Sequence, residues 1–244
     1  MSYSEIKVGD LVAQNPERWR VFDKFGIDFC CGGKMTLEQA CTKKDLDLQT
    51  IQKEIENLDA SQSVPVVDWT GVESPSRIID FILTYYHDPL RQDMQRLSPL
   101  MIKVAQVHGA RHRELPLIGV AWTGLCDELT LHLRKEEMIL FPMIRRIEEA
   151  ALSGWPAANL HCGSVENPIH QMEFEHETAG ETLARIRELS SNYSVPPEAC
   201  NSFRALYSGL AKMDVELRRH IHLENNVLHP IAVKLESKTT TGVR

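Results

Sequence analysis

Two histidine–glutamate pairs stand out. His132 and Glu136, and His220 and Glu224, share the spacing His-x-x-x-Glu, which places both side chains of a pair on one face of a helix. Two further histidines keep step with them: His87 lies 45 residues before His132, and His176 lies 44 before His220. Imidazole nitrogen and carboxylate oxygen are ligands for first-row metal ions. The segments around the pairs repeat, His132-LRK-Glu136-EMI-Leu140-F-Pro142 against His220-IHL-Glu224-NNV-Leu228-H-Pro230, with His, Glu, Leu and Pro matched without gaps.

The elements that must position these residues are four long helices. The first is expected from the Ser74-Pro75 cap to about Val107, the second from about Pro116 to Leu152, the third from about Pro168 to Leu189, and the fourth from near Pro197 to about Leu235. Breakers separate them at 109–116, 154–168 and 192–197. Long helices with short connections predict an antiparallel four-helix bundle. Apolar stripes at three- and four-residue steps run through Leu83, His87, Leu90 and Met94; through Leu125, Leu129, His132, Glu136, Leu140, Met143 and Ile147; through Ile169, Met172, His176, Ala179, Leu183 and Ile186; and through Leu206, Leu210, Met213, Leu217, His220, Glu224, Leu228, Ile231 and Leu235. A single histidine on a core face is ordinarily structural. Six ionisable groups on four core faces are another matter, because burying a carboxylate without compensation costs several kcal/mol. A multivalent cation supplies the compensation. Each expected hairpin also brings its ligands level: the midpoints fall near residue 110, inside the first breaker, and near residue 199, just after Pro196-Pro197.

Four imidazoles and two carboxylates exceed what one tetrahedral zinc takes, and suit two ions bridged by the glutamates. Ligands of nitrogen and oxygen without thiolate favour iron or manganese. Ferritin-like di-iron bundles use Glu-x-x-His on two helices and single glutamates on the others, whereas the pattern here is His-x-x-x-Glu plus single histidines.

The rest of the chain is compatible with that centre. Its 244 residues carry 27 basic and 34 acidic side chains, a net charge of −7, which disfavours nucleic acid as a partner. No apolar run is long enough to span a membrane, and MSYSEIKVGD has no signal-peptide core, so the expected compartment is the cytoplasm. Residues 1–60 read as a small helical domain, with Asn15-Pro16 opening one helix, Gly26 ending it, Thr36 and Gln39 forming a capping box, and Asp47 to Leu58 periodic. Residues 61–74 read as a linker, 75–236 as the bundle and 237–244 as a frayed tail.

Together the single histidines, His-x-x-x-Glu near LFP, the acidic EFEHE and HIHLENNVLHP resemble a hemerythrin-like di-iron domain. The segment VGDLVAQNPERWRVFDKFGIDFCCGGKMTLEQAC, with vicinal Cys30-Cys31 before two glycines, is similar to the small N-terminal domain of the RIC family of di-iron iron–sulfur cluster repair proteins. The resemblance covers nearly the whole chain. It implies repair of clusters damaged by nitric oxide or peroxide, with damaged iron–sulfur proteins as partners. It makes His87, His132, His176 and His220 terminal ligands of two iron ions, Glu136 and Glu224 bridges, and an oxo or hydroxo group the remaining bridge. Such a site could bind nitric oxide or oxygen, release iron, or both. An oxygen or nitric-oxide carrier or sensor, and a di-iron nitric-oxide reductase or peroxidase, are the alternatives. The Cys-Cys domain, which a simple carrier does not need, argues for repair.

Weaker signals remain. Cys30 and Cys31 are candidate reactive thiols, with packing before a turn as the plain alternative. Glu128 and Glu175 lie at the edges of core stripes and are candidates for outer partners of the metal site or an access path, or are ordinary solvated acids. His108 and His112 fall at a helix end and read as structural; His161, His170, His222 and His229 show no ligand spacing. Cys41, Cys126, Cys162 and Cys200 read as packing or unremarkable positions. Pro89 and Pro99 are expected to interrupt the first helix, bending it near His87. The linker, about 15 residues, leaves open an approach of Cys30-Cys31 to the metal site or to a second chain in a homodimer.

Overall fold

The computed structural model describes residues 3–61, 68–154 and 163–241, and these are all-α, with an isolated antiparallel bridge between Lys7 and Thr36. His161, Cys162 and residues 62–67 of the expected linker lie outside the described residues. The helices are α1 (Val8–Gln14), α2 (Trp19–Lys24), α3 (Leu37–Lys43), α4 (Leu48–Ser61), α5 (Pro75–Ile82), α6 (Asp88–His108), α7 (Glu114–Lys135), α8 (Phe141–Ser153), α9 (Glu166–Leu189), α10 (Asn201–Leu223) and α11 (His229–Thr241). The expected frayed tail instead continues α11 to Thr241. Pro99 lies inside α6, which runs through it.

Three one-turn π-helical segments, Leu83–His87, Glu136–Leu140 and Glu224–Leu228, join α5 to α6, α7 to α8 and α10 to α11. In each the closing N–H reaches back five residues: Asp88 to Leu83, Phe141 to Glu136, His229 to Glu224. Each ends two residues before a proline: Pro89, Pro142 and Pro230. A proline in a regular helix has no N–H to donate and pushes against the carbonyl four residues back. Those carbonyls belong to Tyr85, Met138 and Asn226, all inside the π turns, where the wider coil makes room. The extra residue also rotates the helix face. That is why Ile82 is buried where the uninterrupted stripe places Leu83, and Ala232 where it places Ile231.

The chain divides into two compact units. One comprises Ile79–Met143 and Glu166–Leu217. Here α6 packs on α7 and α7 on α9. Arg187 of α9 pairs with the buried Asp214 of α10 at 2.8 Å, and Lys212 of α10 reaches Asp93 of α6 at 3.8 Å, so the four helices close a ring. Leu97, Met101, Ile118, Trp122, Leu183, Leu206 and Leu210 are among its buried side chains.

The other unit comprises Met1–Ile78, Ile144–Val165 and Arg218–Arg244. Asn15 Oδ1 accepts from the Glu17 N–H at 3.1 Å, and Thr36 and Gln39 form the expected capping box. Leu11, Phe22, Leu37, Ile51 and Ile55 form its N-terminal core, and Arg18 ties α4 in through Asp59 at 2.7 Å.

Candidate metal centre

Within the bundle unit, Glu136 is fully buried at the start of its π turn. Its Oε2 lies 3.3 Å from Nε2 of His87, and its Oε1 lies 3.3 Å from Nε2 of His132 and 3.9 Å from Nε2 of His176. The Nε2 atoms of His132 and His176 stand 3.0 Å apart. One carboxylate thus presents an oxygen to each of two separate imidazole groups. Neighbouring donors on an octahedral ion with bonds of about 2.1 Å stand about 3.0 Å apart, so this set fits first-row metal ions. Three histidines around a buried carboxylate, with no thiol among them, form a hard-to-intermediate donor set of the kind iron takes.

Two outer carboxylates aim the imidazoles. His87 Nδ1 donates to Glu137 Oε1 at 2.7 Å, and Arg91 donates to the same oxygen at 2.7 Å. His132 Nδ1 donates to Glu175 Oε2 at 3.0 Å, while Lys135 and Gln171 donate to Oε1. An ionised carboxylate only accepts, so each Nδ1 carries the proton and each Nε2 turns its lone pair to the site. Burial works against ionisation of Glu137, but hydrogen bonds from His87 and Arg91 hold its carboxyl below the usual range. The His132 bond, opposed by burial and helped by Lys135 and Gln171, brings Glu175 down to about 2. The His87 ring also stacks on Phe141, centroids 5.5 Å apart.

In the second unit His220 and Glu224 are both buried, with Nε2 and Oε1 3.1 Å apart. The Cys30-Cys31 loop lies against the π turn that carries Glu224. Asn226 Nδ2 donates to the Cys30 carbonyl at 3.0 Å, and His222 Nδ1 donates to the Phe29 carbonyl at 3.2 Å. Burial pushes His222 down to about 4, partly opposed by its bond to Phe29. Gly33 sits so close to Asn226 that a Cβ there would fall 2.4 Å from Oδ1.

The structure therefore places Glu175 against His132, whereas Glu128 is exposed on α7. Glu137, Asn226 and His222 were not marked by the sequence as site positions. Glu137 is hidden because it follows Glu136 directly and reads as a surface acid. Its signal is the same as that of Glu175, an acid one residue from a core ligand. His222 and His229 are buried, because α10 and the turn after it bury more than the bundle stripe. His108 sits 3.2 Å from the Cys200 sulfur and packs on Phe203 at the end of the bundle, and His112 packs there too.

A helical bundle with a buried histidine–carboxylate cluster defines a class, and the comparisons agree with it. Residues 79–232 match the hemerythrin HHE cation binding domain. Residues 4–59 match a domain of unknown function, ScdA_N. The chain is 35% identical over 237 residues to the iron–sulfur cluster repair protein YtfE of Yersinia pseudotuberculosis serotype IB (strain PB1/+), covering 97% of this chain and 100% of the relative. A Haemophilus influenzae protein named as a probable iron–sulfur cluster repair protein is 37% identical over 232 residues, 94% of this chain and 97% of the relative. The chain belongs to the family of iron–sulfur cluster repair proteins with a hemerythrin-like domain.

Proposed function

We propose that His87, His132, His176 and His220, with Glu136 and Glu224 as bridges, hold two iron ions, and that the chain restores clusters damaged by nitrosative or oxidative stress in the cytoplasm. The observation that carries this reading is the Glu136 carboxylate, which faces His87 with one oxygen and His132 with the other. The repeat supports giving Glu224 the same role opposite it. The matched hemerythrin domain spans all six residues. Among the described residues no helix is long and apolar enough to cross a membrane.

Two iron ions would supply exchangeable iron and positions for a small diatomic ligand. The protein's own part is to hold that iron without thiolate. Glu137 and Glu175 accept from Nδ1 of His87 and His132 and so keep Nε2 of each directed inward. The surrounding apolar residues exclude bulk water. Imidazole and carboxylate hold iron less tightly than thiolate would, which suits iron donation to a damaged client. The same chemistry accommodates nitric-oxide handling.

The test is repair itself. A purified iron–sulfur enzyme inactivated by nitric oxide is incubated with the iron-loaded full chain, a reductant and a sulfide source. Recovery of activity together with loss of iron from the chain supports donation. Turnover of nitric oxide to nitrous oxide without transfer of iron makes the chain a redox enzyme, and tight retention of iron with no recovery overturns repair.

A further inference from the structure

The Cys30-Cys31 loop is built around one carboxylate. Asp28 Oδ1 accepts from the backbone N–H of Cys30 at 3.0 Å and of Cys31 at 3.1 Å, and Oδ2 accepts from Gly32 at 2.9 Å. Three backbone donors orient the Asp28 carboxyl group and fold the loop so that both thiols come to the same side. The Cys30 sulfur lies 3.1 Å from Asp28 Oδ1 and 3.9 Å from the Cys31 sulfur. Two thiolates on a tetrahedral ion with bonds of about 2.3 Å stand about 3.8 Å apart, so the observed separation already matches a chelate. One ligand atom from each of Asp28, Cys30 and Cys31 lies within 4.8 Å of the other two.

We propose that Asp28, Cys30 and Cys31 form a separate mononuclear site for a thiophilic divalent ion of the ferrous or zinc type, with a fourth position open to water or an exchanging ligand. Binding would release the two thiol protons to solvent and form two metal–sulfur bonds and one metal–oxygen bond, with no change of oxidation state. The hydrogen bond with the Cys31 thiol, then burial and the Asp28 charge, push the Cys30 thiol up, and a cation reverses that bias by favouring the thiolate. The clamp from Asn226 to the Cys30 carbonyl fastens this loop to the π turn of Glu224, so the two kinds of ligand share one element pairing. A three-ligand site with an open position suits transient holding rather than permanent structure.

Cobalt(II) titrated anaerobically into the reduced, iron-loaded full chain is the probe. The site predicts one further ion per chain with thiolate-to-cobalt charge-transfer absorption. Cys30→Ser and Cys31→Ser each should weaken that binding at least tenfold, and the double variant should abolish the band while retaining its bundle iron and helical circular dichroism. Asp28→Asn, which keeps an acceptor for the loop N–H groups, should keep the band but weaken binding. Absence of the band in the wild type, or its survival in the double variant, overturns the site; equal affinity in Asp28→Asn overturns the role of the carboxylate. None of the six bundle residues is a thiol, so the band reports on the loop even if the bundle proves not to bind iron.

Discussion

At the residue scale, the central fact is that Glu136 is completely buried and faces imidazoles on both sides. A buried carboxylate of this kind is stabilised by cations, and the imidazoles beside it are oriented by their own outer carboxylates. Glu136→Leu or Glu224→Leu should therefore lose at least one iron per chain in metal analysis; retention of two would contradict the bridging roles. Glu137→Ala and Glu175→Ala remove the acceptors that orient His87 and His132. Loss of such outer partners typically costs 10–100-fold in metal affinity. Competition with an iron chelator should show a loss of that order, and unchanged affinity would mean that the carboxylates do not tune the ligands. The His-x-x-x-Glu pairs and single histidines were legible in the sequence because core stripes rarely hold ionisable groups. Glu137 was not, because nothing in a linear pattern says that a residue beside a ligand reaches across to another helix.

At the scale of elements, the π turns explain where pattern reading goes astray. The stripes through α7 and α9 agree with the observed burial, yet Leu83 and Ile231 are displaced from the buried face by one extra residue in the turn. The prolines two residues after each turn carried the signal, and Pro89 was read as a bend rather than as a wider coil. α9, which contains no π turn, has no proline after its first turn. Pro142→Ala restores a backbone donor and removes the steric reason for the wide turn. The expected outcome is preserved helical content by circular dichroism with reduced iron content, as the ligand face rotates. Unchanged iron would show that the turn is set by the ligands alone. The clamp of the Cys loop was also out of reach of the sequence, since Asn226 and Cys30 are 196 residues apart. Asn226→Ala leaves the Cys30 carbonyl without that donor, at a cost of about 1–3 kcal/mol if it stays dry. A lower Tm and faster modification of Cys30 by a thiol reagent are expected, and an unchanged rate would show that the clamp does not shield the thiol.

At the scale of the whole molecule, the all-α class, the bundle and the metal-binding family were all readable, because each rests on patterns repeated over many residues. What required coordinates was the placement of individual side chains: which acid supports which histidine, and that the Cys-Cys loop is anchored on the turn bearing Glu224. The most direct measurement is the iron content per chain of the full-length protein after anaerobic loading and removal of loosely bound metal, read beside the double cysteine variant. Two irons per chain retained in that variant is the result expected of a bundle centre built from His87, His132, Glu136, His176, His220 and Glu224. A single zinc, or iron that disappears with Cys30 and Cys31, would contradict it.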